Sequence, residues 1–351
     1  MKNFDFENLE GFDNHKLVQF IFDEKTGLRG FIAIHKGSNR KPSLGATRLW
    51  KYKSEIDALR DALRLSKAMS LKSALAGLPY GGAKGVLILS PKIKKHRRQF
   101  FISYAKILND LDGKFITGTD IGVEDRDVRT MRKYTPYVIG SKVEPAYYTA
   151  VGVYYGIQEA LRHLFGSENI KGRSFAMQGV GKTGLHLLEL VYPKTEKIFI
   201  ADIDKKRTKK VKHHFPRIKV VSPSEIIKQK VDVFCPCAVG GVLNSKNTAN
   251  LRCKIVAGSA NNQLEEDYVD FLLHKLGILY APDYVINAGG LISVVDELEN
   301  SRPSKKRILQ RIAHIPATLR TIFDKSQKEK KPTGFITNQI AKAILSKKWN
   351  H

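Results

Sequence analysis

The stretch FAMQGVGKTGLHLL constrains the fold more than any other. It contains Gly179-Val180-Gly181-Lys182-Thr183-Gly184, a complete G-x-G-x-x-G. The bare pattern is weak, but its setting is specific. The apolar run from Phe175 to Met177 reads as a strand before it, and Leu185 to Leu190 reads as a helix after it. The next strand, KIFIAD, ends on Asp202, close to the ~20 residues downstream where a carboxylate meets a ribose. The glycines allow a tight turn and let backbone N–H groups approach a pyrophosphate at the positive end of the helix. Asp202 would accept bonds from both ribose hydroxyls and repel a 2′-phosphate, so NAD is favoured over NADP. Lys205, Lys206 and Arg207 follow closely and soften that preference. A P-loop is excluded, because Gly184 is followed by Leu185 and His186 instead of Lys and Ser/Thr.

Around this unit, strands alternate with helices. LVQFIFDEKTGLRGFIAIHKG reads as two strands around a turn at Gly27, and SEIDALRDALRLSKAMSLKSALAG as a helix capped by Ser54. GVLILS, KFITGTDIG, VDVFCPCA, KIVAGSAN and LGILYAPDYVIN read as further strands. AVGVYYGIQEALRHLFG reads as a helix ending on Gly166, and the tail from Lys325 as a polar linker followed by a short helix. The alternation implies an α/β protein with a doubly wound parallel sheet. With 351 residues, two domains fit better than one.

Composition narrows the function classes. No segment approaches the ~18 consecutive apolar residues of a membrane span. The start, MKNFDFENLEGFDNHKL, has no apolar core of the kind a signal peptide needs. Cys235, Cys237 and Cys253 are too few for a disulfide framework, and their spacing is poor for a metal. A cytoplasmic protein with no metal is expected. The formal net charge is +26, from 60 Lys+Arg against 34 Asp+Glu, which raises a nucleic-acid partner as the rival class. The basic runs KIKKHRR, DKKRTKKVKHH, SKKRILQR and KSQKEKK are scattered and not interleaved with aromatics. No nucleic-acid-binding motif accompanies them, so no specific nucleic acid is expected.

A second glycine-rich stretch, GLPYGGAKGV, runs from Gly77 to Val86. It lies between a helix and a strand, the reverse of a phosphate loop, so it reads as a loop whose glycines let a substrate approach. Lys72 and Lys84 sit in small-residue surroundings. Burial beside another cation would depress a lysine pKa and supply a neutral amine as a base. A surface lysine in a turn is the competing reading. Asp120, at the end of the expected strand KFITGTDIG, is a candidate acid, with Glu124 and Asp125 as rivals.

In order, LGATR, MSLKSALAGLPYGGAKG, GTDIGVED, TAVGVYYG, QGVGKTG, ADID, CAVGG, GSANNQL and YAPDYVINAGG run through the chain. Together they resemble the Glu/Leu/Phe/Val dehydrogenases, most closely the leucine branch, from about Phe20 to about Leu345. The resemblance implies a substrate-binding and oligomerisation domain with a mixed sheet (1–145 with 324–351), a Rossmann NAD-binding domain (146–323) and a cleft between them. It implies reversible oxidative deamination of an L-amino acid to a 2-oxo acid and ammonia, in a homo-oligomer between dimer and octamer. By the same resemblance, Lys84 is the catalytic base, Asp120 the proton-relay acid and Lys72 the substrate-carboxylate binder. Asn262 lies at the substrate, and the dinucleotide meets Thr149, Gly179, Val180, Gly181, Lys182, Thr183, Gly184, Asp202, Ile203, Cys237, Ala238, Ala260, Asn261 and Asn287.

Leu44 stands where the glutamate branch has a lysine for the side-chain carboxylate, so an apolar substrate is implied. Leu44, Ala46, Leu291 and Val294 would line its pocket. Leucine, valine or isoleucine is the first choice, and phenylalanine or tryptophan the alternative. Ala83 stands where leucine enzymes tend to carry glycine, and Ala46 where the relatives usually do, which should shrink the pocket slightly.

Overall fold

The computed structural model describes residues 7–37, 41–140, 142–195 and 197–349. The first six residues of the stretch read as lacking a leader lie outside them. The chain divides into two compact units, Met1–Lys142 with Ala341–His351, and Val143–Ile340.

The first unit is built on a five-stranded mixed sheet. Its elements are β1 (Leu17–Asp23), β2 (Leu28–Lys36), β3 (Ser43–Trp50), α1 (Glu55–Leu75), β4 (Gly81–Ile88), α2 (Ile93–Asp110), β5 (Phe115–Ile116) and α3 (Asp125–Met131). The strand order is β1-β2-β4-β3-β5. β1 and β2 form the expected antiparallel pair, whose connection passes through Gly27 at φ +75°. β4 is central, antiparallel to β2 and parallel to β3. Ser54 caps α1, its side chain accepting from the Asp57 amide. Leu59, Ala62 and Leu63 of α1 pack with Ala33 and Val86 on one face of the sheet. Phe100, Tyr104 and Leu108 of α2 pack with Ile32 and Leu87 on the other.

The glycine-rich stretch differs from the sequence reading. The strand expected at GVLILS begins at Gly81, so Gly81 to Lys84 are strand, not loop. Three of the stretch's four glycines, Gly81, Gly82 and Gly85, sit where a Cβ would collide with neighbouring chain, whereas Gly77 lies in open space at φ +69°. A Cβ on Gly82 would lie 2.0 Å from the Ser70 amide nitrogen of α1, so the helix can rest on the strand only where the side chain is absent. Their assignment to substrate approach is corrected accordingly.

The second unit carries six parallel strands. Its elements are α4 (Pro145–Phe165), β6 (Ser174–Gln178), α5 (Lys182–Val191), β7 (Lys197–Ala201), α6 (Lys205–His214), β8 (Lys219–Val220), β9 (Val233–Pro236), β10 (Ile255–Val256), α7 (Tyr268–Lys275), β11 (Leu279–Tyr280), α8 (Asp283–Ile286), α9 (Gly289–Glu299), α10 (Lys305–Ile312), α11 (Ile315–Glu329) and α12 (Thr333–Trp349), the last running on into the first unit. The strand order is β11-β10-β9-β6-β7-β8. The order reverses between β6 and β9, the switch point of a doubly wound sheet, where ligands bind at the carboxyl ends of the strands.

Several expected elements are shorter or of another type; KIVAGSAN, for one, forms only the two-residue β10. KFITGTDIG forms only the two-residue β5, followed by single bridges Thr117↔Val138 and Thr47↔Thr119, because the chain turns at Gly122 with φ +80°. LGILYAPDYVIN forms β11 and then the helical turn α8, because Pro282 has no N–H to continue a ladder. The polar tail read as a linker is helical through Glu329, and α11 belongs to the second unit, with its Ile315 and Leu319 against Gly152 and Gly156 of α4. The basic runs fall on α2, α6, α10 and the end of α11. No helix among the described residues is long and apolar enough to cross a membrane.

Gly82→Ala should force α1 off β4. An overpacking cost of about 3 kcal/mol, read as a lower denaturation midpoint, is expected. An unchanged midpoint would contradict this packing.

Candidate active site

In the first unit the site starts with a lysine in the middle of a sheet. Lys84 lies on β4, between Ala33 of β2 and Ala46 of β3 in register. Two alanines leave room for its side chain along the face that α1 covers. The residue is only 5 % exposed. Its Nζ donates to Asp120 Oδ2 at 2.7 Å. The same oxygen accepts from Arg48 Nε at 2.9 Å. Arg48 Nη1 reaches Asp61 Oδ2 at 2.9 Å, and Asp61 also accepts from Tyr52 and Arg64. Charges therefore alternate through the site: Lys84, Asp120, Arg48, Asp61, Arg64.

These neighbours shift both ends of the pair. Burial pushes the Lys84 ammonium below its ordinary value. The Asp120 carboxylate pulls it back up only in part, and Arg48 pushes it further down. Burial pulls Asp120 up, but Lys84 and Arg48 outweigh it and hold the carboxyl down at about 2. Arg48, Asp61 and Tyr52 were not singled out from the sequence. The signal was present: Arg48 lies two residues beyond Ala46, on the same face of β3.

Of the other first-unit candidates, Ala46 is half-buried beside Lys84 and Leu44 is wholly buried beside Gly82. Lys72 lies in the last turn of α1, two residues past the Ser70 contact with β4, and is half-buried. Glu124 caps α3, with its Asp127 in turn bound by Arg97, so Glu124 and Asp125 belong to that helix start and not to the Lys84 pair.

In the second unit the fingerprint closes on itself. Gly179 has φ +94°, and a Cβ on Gly184 would lie 2.2 Å from the Gly179 carbonyl oxygen. Gly181 precedes α5, and a Cβ there would meet nothing within 4 Å. That open side at a helix N-terminus suits a pyrophosphate. Val180 donates its amide to Asp202 Oδ2 at 2.9 Å, tying the turn to the end of β7. Lys182 and Thr183 begin α5, Lys182 being exposed. Across the switch point, Cys237 donates its amide to the Gln178 carbonyl at 2.7 Å, and Ala238 packs against Gly179.

The two long motifs GSANNQL and YAPDYVINAGG meet. Asn287 Nδ2 donates to Asn261 Oδ1 at 2.8 Å and to the Ser259 carbonyl at 3.2 Å. Gln263, wholly buried, donates to the Gly258 and Ala260 carbonyls, and its own amide reaches Asp283 Oδ2 at 3.3 Å. Gln263 and Asp283 shape this loop and were missed as individual residues. Asn262 takes φ +51°, and its carbonyl accepts from Gly241 at 2.7 Å. Thr149 bonds the Pro145 carbonyl in the first turn of α4 and lies against Gly290 of α9, the helix that also carries Leu291 and Val294. Ile203 is exposed beyond Asp202. Asn287 Oδ1 and Gln178 Oε1 are buried with no partner among the described residues, and either is an acceptor suited to a carboxamide. Open backbone at Gly181 and orphan acceptors nearby fit a nicotinamide dinucleotide. Among the described residues no cluster of His, Cys, Asp or Glu could hold a metal.

A doubly wound parallel sheet with a glycine turn at its switch point is the architecture of dinucleotide-binding oxidoreductases. Comparison with known proteins makes the class specific. Residues 15–137 match the Glu/Leu/Phe/Val dehydrogenase dimerisation domain, and residues 140–345 the Glutamate/Leucine/Phenylalanine/Valine dehydrogenase domain. The chain is 38 % identical to leucine dehydrogenase of Bacillus cereus over 347 residues, covering 97 % of this chain and 93 % of that one. It is 38 % identical to L-tryptophan dehydrogenase of Nostoc punctiforme over 334 residues, covering 94 % and 92 %. The crystal structure of a Nostoc punctiforme L-tryptophan dehydrogenase superposes with a TM-score of 0.82 at 36 % identity, covering 96 % of this chain and 98 % of that one. The chain belongs to the Glu/Leu/Phe/Val dehydrogenase family and is an amino acid dehydrogenase that works with a nicotinamide cofactor.

Gly181→Ala should fold normally, since its Cβ enters open space, yet weaken dinucleotide binding about tenfold or more. Equal affinity for NADH in the variant and the parent, measured by fluorescence titration, would remove Gly181 from the site.

Proposed function

We propose that the protein catalyses NAD-dependent oxidative deamination of an apolar L-amino acid, with leucine, valine or isoleucine preferred. The observation that carries this reading is the buried Lys84–Asp120 pair: an amine whose charge is destabilised by burial, held at 2.7 Å by a fixed carboxylate. The net reaction consumes amino acid, NAD⁺ and water, and yields 2-oxo acid, ammonium, NADH and one proton.

Lys72 would bind the substrate carboxylate as a permanent cation. Neutral Lys84 would take a proton from the water that attacks the 2-imino acid, and return it as the amine leaves. Asp120 Oδ2 already carries two cationic donors, and its carboxyl is held at about 2. A proton on Oδ2 would have to displace Arg48 or Lys84. Asp120 therefore serves first as the fixed anion that aims Lys84, and passes protons only transiently. Arg48 acts on the reaction through Asp120. The dinucleotide, when bound, accepts the substrate α-hydrogen as hydride. Gly179, Gly181 and Gly184 would hold its pyrophosphate, Asp202 its ribose, and Thr149, Asn261 and Asn287 its nicotinamide end. Asn262 would face the substrate.

Leu44 and Ala46 supply no partner for a side-chain carboxylate, which supports an apolar substrate. The likeness to leucine and tryptophan dehydrogenases at equal identity keeps an aromatic amino acid as the second reading. A homo-oligomer built through the first unit fits its match to the family's dimerisation domain.

NADH formation at alkaline pH across the L-amino acids should be highest with an aliphatic one. An aromatic optimum would select the second reading, and no turnover of any apolar amino acid would refute both. Lys84→Ala should lose at least about 100-fold in kcat, the scale of a general base, while still binding NADH.

A further inference from the structure

The carboxylate at the end of β7 is already engaged. Asp202 Oδ2 accepts the Val180 amide at 2.9 Å, and Oδ1 accepts the Asp204 amide at 2.9 Å. Arg207 Nη1 lies 3.1 Å from Oδ2 and 3.3 Å from Oδ1. Arg207 also sits 3.6 Å from Asp204. The Asp202 side chain is 6 % exposed, whereas that of Arg207 is 44 % exposed. Burial pulls the Asp202 carboxyl up, but the two amides and Arg207 more than offset it and keep it ionised.

An acidic residue here selects against a 2′-phosphate in two ways. It accepts bonds from both ribose hydroxyls, which needs vacant lone pairs, and it repels the phosphate, which needs a net negative field. Neither condition is met cleanly. Each Asp202 oxygen carries an amide and a guanidinium hydrogen. The local field is set by Asp202 and Asp204 against exposed Lys205, Lys206 and Arg207, two anions against three cations. Arg207 presents a planar fork of donors that matches a phosphate, and its present partner is weakly exclusive, since both contacts come from one nitrogen.

We propose that Arg207 is a cofactor-selecting residue: it masks Asp202 and turns onto a 2′-phosphate, so that the site takes NADP(H) as well as NAD(H). The guanidinium exchanges one anion for another without leaving the first turn of α6. Removing it leaves Asp202 with only its two backbone amides, so that each oxygen regains acceptor capacity and the negative field is no longer masked, which favours the cofactor with free hydroxyls. The inference rests on the dehydrogenase reading only where turnover is concerned; the binding preference stands apart from the substrate.

Fluorescence titration of the full chain with NADH and NADPH, in about 0.15 M salt to damp non-specific attraction by its net charge, tests this. The parent should bind NADPH within about 30-fold of NADH, and Arg207→Ala should raise the ratio Kd(NADPH)/Kd(NADH) at least about tenfold, the worth of one charge-assisted hydrogen bond. Lys209→Ala, a charge loss further along the same helix, should leave the ratio unchanged. The proposal is overturned if the parent rejects NADPH by about 1,000-fold or more. It is also overturned if Arg207→Ala leaves the ratio as it was, or if Lys209→Ala moves it as far. NADPH formation with the preferred amino acid should follow the same ratios. Failure of every amino acid with both cofactors would refute the proposed reaction and leave the Kd ratios to decide the role of Arg207.

Discussion

A lysine buried in the central strand of a sheet is the constraint around which the first unit is built. An isolated ammonium there would be costly, and the residues around Lys84 reduce that cost in two ways. Ala33 and Ala46 flank it in register and leave its side chain space. Asp120 meets it at 2.7 Å, and Arg48 fixes Asp120 from the other side. Asp61, Tyr52 and Arg64 continue the network to the surface of α1. A buried network of this kind is poor evidence of stability, because desolvation offsets most of the attraction. Its consequence is positional: the amine points in one direction, and its protonated form is weakened without being lost.

The glycines of β4 follow from the same constraint. Bringing a helix with Lys72 in its last turn down onto the strand that carries Lys84 requires a site with no side chain, and Gly82 provides it under Ser70. The second unit solves a different problem with the same residue type. There Gly179 and Gly184 close a turn on itself, and Gly181 leaves the outer side open. One glycine-rich stretch serves internal packing and the other leaves room for a ligand.

This contrast also marks what was legible in the sequence. The glycine turn, its flanking strand and helix, and the place of Asp202 just after β7 could be read directly, because local spacing specifies them. The Ser54 cap and the first hairpin were equally local. The position of Lys84 inside a strand was not, since glycine is a poor strand former and only the two neighbouring strands and α1 make one there. Arg48 and Asp61 escaped because their meaning depends on Asp120, 72 residues from Arg48 along the chain. Gln263 and Asp283 lay within recognised motifs but bond each other across 20 residues, a pairing that no periodicity reveals. Arg207 was visible as a charge beside Asp202, and its grip on that carboxylate was visible only in three dimensions.

The central claim is that burial, more than Asp120, decides the ionisation of Lys84, so that a neutral amine is available for proton transfer. Titration of the lysine Nζ resonances by ¹⁵N NMR, with Lys84→Arg identifying the signal, measures this directly. The account predicts a midpoint for Lys84 below the ordinary 10.5. A midpoint at or above 10.5 would mean that the ion pair wins over burial, and Lys84 would then be a permanent cation and not the base.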